Sequence, residues 1–189
     1  MSAATHAPQV SVIIPAYNGD RYIVQAIKSV LAQTFTDYEI IVVDDGSTDQ
    51  THQVLQPYLD RIRYVYQENR GVAAARNRGI QEAKGKFIAF LDQDDFFAPD
   101  KLAAQIALFY QQPSLGIVNS GWRLVNEQGD TISDIEPWLY FPKLDLETWI
   151  VQMPVLPSAM MFSRRWLELA GGFIFGGFAS LFKSEFAGL

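Results

Sequence analysis

Apolar and polar residues alternate in blocks along the first two-thirds of the chain. Continuous apolar runs and one alternating run predict strands at residues 10–14, 38–43, 87–91 and 62–66. Apolar residues at helical spacing predict helices over 20–33, 72–83 and 99–112. A further helix is predicted to begin after a cap at Ser47 or Thr48 and to bend or end at Pro57. Because strands and helices alternate, the pattern predicts an α/β fold with a mostly parallel sheet covered by helices on both faces.

The last third of the chain is less regular. Residues 117–126 predict one or two strands, 126–130 a hairpin turn, 158–163 a strand and 164–170 a short helix. Residues 137–157 are interpreted as a packed irregular segment, and Trp138, Trp149 and Trp166 as core residues. We expect residues 1–8 to be a flexible N-terminus, and we find neither an internal repeat nor a linker to a second domain.

Composition, charge and cysteine count exclude several classes of protein. The chain has 189 residues, 49% of them hydrophobic, and a net charge of −6, which indicates a globular domain that does not bind nucleic acid non-specifically. It has no cysteine, which excludes disulfides, thiolate zinc sites and a cysteine nucleophile. No apolar run is long enough for a transmembrane span and the start lacks the features of a signal peptide. We therefore expect a cytoplasmic protein, with a peripheral role at a membrane surface left open.

Unusual polar sequences follow three of the predicted strands: PAYN at 15–18, DDGSTD at 44–49 and DQDD at 92–95. In parallel sheets, ligands bind beyond the carboxyl ends of the strands. These three segments are therefore expected to converge on one site. The first of them also lacks the G-x-G-x-x-G pattern of a dinucleotide-binding Rossmann fold.

The acidic cluster at 92–95 carries the clearest chemical signal. Clustered carboxylates repel each other, so a site that keeps them together usually supplies a cation. Oxygen ligands without His or Cys suit Mg²⁺ or Mn²⁺, and Asp92 and Asp94 would face one side of an extended segment. The alternative is a solvated acidic turn that caps the helix after Pro99.

The other segments allow two interpretations each. A carboxylate in DDGSTD can accept hydrogen bonds from a base or sugar, or the segment can simply cap the next helix. Tyr17 and Asn18 can form part of a nucleotide site or a helix-entry turn. Arg76 can pair with a diphosphate, but Arg78 projects about 200° away on a helix, so only one of the two can face the site.

Taken together, four segments closely resemble the inverting glycosyltransferases of family 2, which have the GT-A fold. In chain order they are VSVIIPAYN, EIIVVDDGSTD, NRGVAAARNRGI and FIAFLDQDDFFAPDKL. The resemblance covers residues 9–112, which would bind the donor, and continues more faintly through 113–173, which would form the acceptor side of the same domain. It implies a nucleotide-diphospho-sugar donor, often a uridine nucleotide, and a hydroxyl acceptor such as a glycan or glycolipid.

The resemblance also implies roles for individual residues. The donor-binding residues would be Pro15, Ala16, Tyr17, Asn18, Asp45, Arg76 and Asp92. The metal ligands for Mn²⁺ or Mg²⁺ would be Asp92 and Asp94, supported by Asp95. In the implied single displacement, a carboxylate deprotonates the acceptor hydroxyl while the metal neutralises the leaving diphosphate.

The C-terminal end departs from the family pattern. In the family, Gly-Gly-Phe usually leads to an acidic segment with the catalytic base, whereas here Glu185 is the sole carboxylate side chain after Glu168. Glu185 is therefore the candidate base, and residues 174–189 are interpreted as an atypical, truncated segment whose Phe-rich sequence can mediate self-association. A donor-binding module without turnover is the main alternative. A phosphoacceptor receiver domain is disfavoured. A receiver has its acidic pair after the first strand, whereas Asp44 and Asp45 of this chain follow the second predicted strand.

Overall fold

The computed structural model describes residues 7–140 and 156–170. Within these ranges the strands are β1 (Val10–Ala16), β2 (Tyr38–Asp45), β3 (Arg63–Gln67), β4 (Phe87–Phe90), β5 (Ile117–Asn119), β6 (Trp122–Val125), β7 (Thr131–Ile135) and β8 (Met160–Ser163). The α-helices there are α1 (Ile23–Leu31), α2 (Thr51–Leu55), α3 (Val72–Glu82), α4 (Lys101–Gln111), α5 (Pro137–Tyr140) and α6 (Arg164–Ala170). All strands and helices predicted in the first two-thirds are present.

Six of these strands form one sheet in the order β3-β2-β1-β4-β8-β5. The first four run parallel, and Ile13 of β1 lies in register between Ile41 of β2 and Phe90 of β4. Strand β8 is antiparallel to both β4 and β5, while β6 and β7 pair as a separate hairpin. The predicted α/β fold with a mostly parallel sheet is thus confirmed.

The sheet separates two hydrophobic cores because successive side chains of a strand point to opposite faces. On one face Val12 shares a core with Ile27 of α1 and Leu102 of α4. On the other face Ile13 shares a core with Ala75 of α3 and with Leu167 of α6. Helices therefore cover both faces, as the continuous apolar strands predict. None of the helices in the described part of the chain has the length and apolar character that crossing a membrane requires.

Helix α3 lies unusually close to β1. A Cβ atom on Gly79 would come within 2.3 Å of Ile13 Cγ2, so a larger residue there would push the helix outward. Ala75, one turn earlier, is completely buried against the same face. This close packing places the neighbouring Arg76 near the carboxyl edge of the sheet.

The predicted cap of α2 is wrong. The helix begins at Thr51, and neither Ser47 nor Thr48 caps it, because the N-cap residue is Gln50 and has no side-chain cap hydrogen bond. Ser47 and Thr48 instead contact the loop after β1, as described below. Hydrogen bonds between loops, rather than a helix end, account for these two polar residues.

The interpretation of the tryptophans as core residues is also wrong for Trp138, which is 50% exposed at α5. Trp166 is partly buried, and its ring lies where a Cβ on Gly116 would be. Trp149 lies outside the described residues. A single aromatic residue in an irregular segment gives no periodicity from which its burial can be predicted.

Candidate functional site

The ends of β1, β2 and β4 meet around a cavity of about 590 Å³ at the carboxyl edge of the sheet. Its lining residues are Pro15, Ala16, Tyr17, Asp45, Asn69, Gly71, Val72, Ala75, Arg76, Asp92, Gln93 and Asp94. The volume is within the range of sites for small molecules and cofactors. The expected convergence of the three polar segments is therefore present, and Asn18 and Asp95 are the predicted site residues in these segments that do not line the cavity.

An ion pair crosses the cavity between α3 and the end of β4. Arg76 Nη2 lies 2.6 Å from Asp92 Oδ1, and the two side chains are only 12% and 30% exposed. Arg78 projects elsewhere and pairs with Glu82 on the same helix, as the helical geometry predicts. Arg76 thus supplies a guanidinium inside the cavity, where reduced contact with water strengthens its interaction with anions.

The acidic loop after β4 is held from the sheet side by Ser158. The backbone N–H of Asp92 donates to Ser158 Oγ at 3.0 Å, and the Ser158 hydroxyl donates to the Asp95 carboxylate. Burial raises the pKa of Asp95, and the charges of Asp92 and Asp94 raise it further, whereas the hydrogen bond from Ser158 opposes the shift. Asp95 therefore anchors the loop, while Asp94 is exposed at the cavity.

The donor set of this loop fits a hard divalent cation. Asp92 and Asp94 offer carboxylate oxygens on the cavity wall, which suit Mg²⁺ or Mn²⁺. Among residues 7–140 and 156–170, no three His, Cys, Asp or Glu side chains converge as a complete ligand set. A cation held here would therefore need further oxygen ligands, such as water or the phosphates of a bound substrate.

Asp45 lies at the end of β2 and is almost completely buried. Its carboxylate accepts hydrogen bonds from Gln67 Nε2 at 2.6 Å, from Arg70 N at 2.9 Å and from Gly71 N at 2.8 Å. Gly71 has a φ of +86°, a conformation that disfavours other residues. Asp45 therefore shapes the 69–71 loop that opens α3, besides lining the cavity itself.

The loop after β1 is joined to the loop after β2 by reciprocal hydrogen bonds. Asn18 N donates to Ser47 Oγ at 3.0 Å, and Thr48 N donates to Asn18 Oδ1 at 2.8 Å. Gly19 N donates to Thr51 Oγ1 at 2.8 Å. Asn18 adopts a positive φ of 49° in making these contacts. Its side chain therefore holds two loops together, and the structure places it outside the cavity lining.

Sequence reasoning missed several cavity residues. Gln93 lines the cavity and pairs with the backbone N–H and C=O of Tyr17. Asn69 and Gly71 also line the cavity. The position of Gln93 between two candidate metal ligands was a signal that could have been used. Ser158 gave no such signal, because it contacts Asp92 only through the folding of a distant segment. Glu185, the candidate base, lies outside the described residues.

Comparisons with known proteins identify the family of the chain. The family model for glycosyl transferase family 2 matches residues 11–170. An uncharacterised glycosyltransferase of Rickettsia typhi is 38% identical over 159 residues, which are 84% of this chain and 49% of that protein. The chondroitin synthase of Escherichia coli is 35% identical over 169 residues, or 88% of this chain and 24% of that protein. The chain thus spans at most about half the length of these curated relatives.

A solved structure gives the same fold. Residues 1–349 of S. aureus TarS superpose with a TM-score of 0.69 at 26% identity, over 88% of this chain and 50% of that one. The family model covers most of the chain, including all the strand ends around the cavity, and it matches the resemblance seen in the four sequence segments. This chain belongs to glycosyltransferase family 2.

Proposed function

We propose that this chain binds a nucleotide-diphospho-sugar, with uridine as the nucleoside, and transfers its sugar to a hydroxyl acceptor by metal-assisted inverting displacement. The observation that carries the proposal is the cavity that brings Tyr17, Asp45, Arg76, Asp92 and Asp94 together at the carboxyl edge of the sheet. An aromatic face, a hydrogen-bond acceptor, a guanidinium and a pair of carboxylates are the groups that such a donor requires.

The nucleoside would occupy the end of the cavity formed by β1 and β2. The Tyr17 side chain is 47% exposed there and offers a ring face to a base. Pro15, Ala16 and Asp45 line the same cavity. The structural relative TarS has been crystallised with UDP and with UDP-GlcNAc, at 25% identity to this chain, which supports a uridine nucleotide.

The diphosphate would occupy the end formed by α3 and the acidic loop. Arg76 can interact with phosphate oxygens through the part of its guanidinium that faces the cavity, and its ion pair with Asp92 fixes its orientation. Asp92 and Asp94 would hold Mn²⁺ or Mg²⁺, which when bound neutralises the charge that develops on the leaving diphosphate. The hydrogen bonds of Ser158 keep this loop in position.

The acceptor side would lie in the same domain as the donor site. Residues 113–173 would form it, and the acceptor would be a glycan or a glycolipid, the latter placing the protein at a membrane surface. The base that deprotonates the acceptor hydroxyl would be Glu185. The alternative, a module that binds the donor without turnover, is favoured by one observation: the residues directly after Gly171-Gly172-Phe173 are IFGG, with no acidic side chain.

Calorimetric titration of UDP into the purified chain, with Mn²⁺ and then with excess EDTA, tests the donor site. We expect tighter binding with Mn²⁺, and a loss of that metal-dependent gain in Asp94→Ala. Asp60→Ala, which removes an exposed aspartate before β3, is the matched control. A folded chain that binds neither UDP nor GDP would refute the nucleotide donor. UDP binding without release of product from UDP-sugar and acceptor would favour the binding module.

A further inference from the structure

Gln93 connects two ends of the cavity through its side-chain amide. Although it lies between Asp92 and Asp94 in the chain, its Oε1 accepts a hydrogen bond from Tyr17 N at 2.9 Å. Its Nε2 donates to Tyr17 O at 3.1 Å. One side-chain amide therefore satisfies both polar groups of one backbone residue, in the reciprocal pattern by which neighbouring strands pair. We refer to these two hydrogen bonds as the Gln93 clasp.

The clasp determines which groups of Tyr17 can meet a ligand. Because the N–H and the C=O of Tyr17 are both paired with Gln93, the exposed ring is the part of Tyr17 that faces the cavity. The loop after β1 is also held from its other side by the hydrogen bonds between Asn18 and the loop after β2. The position of the Tyr17 ring is thus set relative to both neighbouring strand ends.

The absence of a side chain at Gly19 leaves room for the clasp. A Cβ atom at this position would lie 2.3 Å from Gln93 Oε1 and 2.7 Å from Gln93 Cδ. The φ of Gly19 is not in the positive region, so its backbone conformation does not itself require glycine. A side chain at position 19 would therefore occupy the space that the Gln93 amide fills.

We propose that Gln93 is a positioning residue that couples the nucleoside end of the cavity to the metal-ligand end. It fixes the loop of Asp92 and Asp94 to the loop of Tyr17, so that a nucleoside held by Tyr17 places its diphosphate in reach of both carboxylates. The proposal rests on the proposed donor site. Its consequence is that the gain in UDP affinity produced by Mn²⁺ depends on the clasp.

Four proteins test this inference: the wild type, Gln93→Ala, Gly19→Ala and the double variant. The quantity compared is the metal factor, the Kd of UDP in EDTA divided by its Kd in Mn²⁺. We expect each single substitution to lower the metal factor about tenfold, the change that the loss of two modest hydrogen bonds produces. The double variant should lose no more than Gln93→Ala alone, because Gln93→Ala removes the three atoms that lie nearest to a methyl group on residue 19.

Gln112→Ala is the matched control, since Gln112 is exposed at the end of α4, away from the cavity lining. An unchanged metal factor in Gln93→Ala, which is what an equal loss with and without Mn²⁺ would give, or additive effects in the double variant would each overturn the inference. Hydrogen exchange of the Tyr17 amide tests the clasp without any ligand. We expect protection in the wild type that Gln93→Ala abolishes, and an unprotected wild-type amide would refute the clasp. If the folded wild type binds no UDP, the proposed function fails, while the exchange result still decides on the clasp.

Discussion

A buried lysine at the start of α4 makes the stability of this fold depend on pH. Lys101 Nζ donates to Gln105 Oε1 at 2.8 Å and lies 4.1 Å from the centre of the Phe97 ring. Burial lowers the pKa of Lys101 from its ordinary value of 10.5 to about 7. The unfolded chain therefore holds a proton at this side chain over a pH range in which the folded chain has released it.

The sign and the size of the effect follow from proton linkage. Between about pH 7 and pH 10.5 the unfolded state binds one more proton, so the free energy of unfolding rises with pH. The slope is up to about 1.4 kcal/mol per pH unit, and integration from about pH 7.5 to about pH 9.5 gives about 2.5 kcal/mol. The cost of burying the charged ammonium is fully present below pH 7 and disappears above pH 10.5.

Lys101→Met removes the titrating group while keeping most of its volume. We expect the stability of the wild type relative to this variant to rise by about 2.5 kcal/mol over the same pH interval. Guanidinium unfolding at a series of pH values measures the difference, in which the titration of all other groups cancels. Lys84→Met, which removes an exposed lysine, is expected to follow the wild type. Parallel stability curves for the wild type and Lys101→Met would refute the reasoning, because they would show that the ammonium is hydrated or paired in solution.

Three further substitutions probe the cavity and its support. Gly79→Val should lower the free energy of unfolding in urea by about 1–3 kcal/mol, because its side chain would overlap Ile13; unchanged stability would contradict the close packing of α3. Asp45→Ala removes the acceptor of Arg70 N and the nearer of the two acceptors of Gly71 N, so stability should fall by about 2–4 kcal/mol and calorimetry should show UDP and UDP-sugar weakened alike. Weaker binding of UDP-sugar with unchanged binding of UDP would contradict a role of Asp45 at the nucleoside. Arg76→Lys keeps the charge but loses the planar fork, so UDP affinity should fall about tenfold while that of uridine is retained, and equal losses would place Arg76 at the nucleoside instead.

Much of the fold could be predicted because its signals are local. Strands buried on both faces give continuous apolar runs, and α3 shows small residues where it meets β1. The order of the strands and the antiparallel direction of β8 could not be predicted in this way. They depend on contacts between residues far apart in the chain, such as the pairing of Ala89 with Met161.

In the candidate site, too, some features could be predicted from local sequence and others depend on contacts between distant residues. Asp45, Arg76, Asp92 and Asp94 could be proposed because carboxylates and a cation at strand and helix ends are informative by residue type alone. The contacts between the loops could not be predicted from the sequence. Asn18 and Ser47 each fit the pattern of a residue that caps the helix after it, and only the structure shows that they bind each other. Local rules assign a polar side chain to its nearest backbone partner, whereas here the partner belongs to another loop.

The charges in the cavity explain why a nucleotide and a cation would favour each other there. Asp45, Asp92 and Asp94 carry three negative charges and Arg76 carries one positive charge, so the charged side chains of the lining leave two net negative charges. A divalent cation would offset these two charges. A diphosphate alone would add negative charge beside two carboxylates. When both are bound, the positive charge of the cation offsets the added negative charge of the diphosphate, so the cation favours binding of the nucleotide and the nucleotide favours binding of the cation.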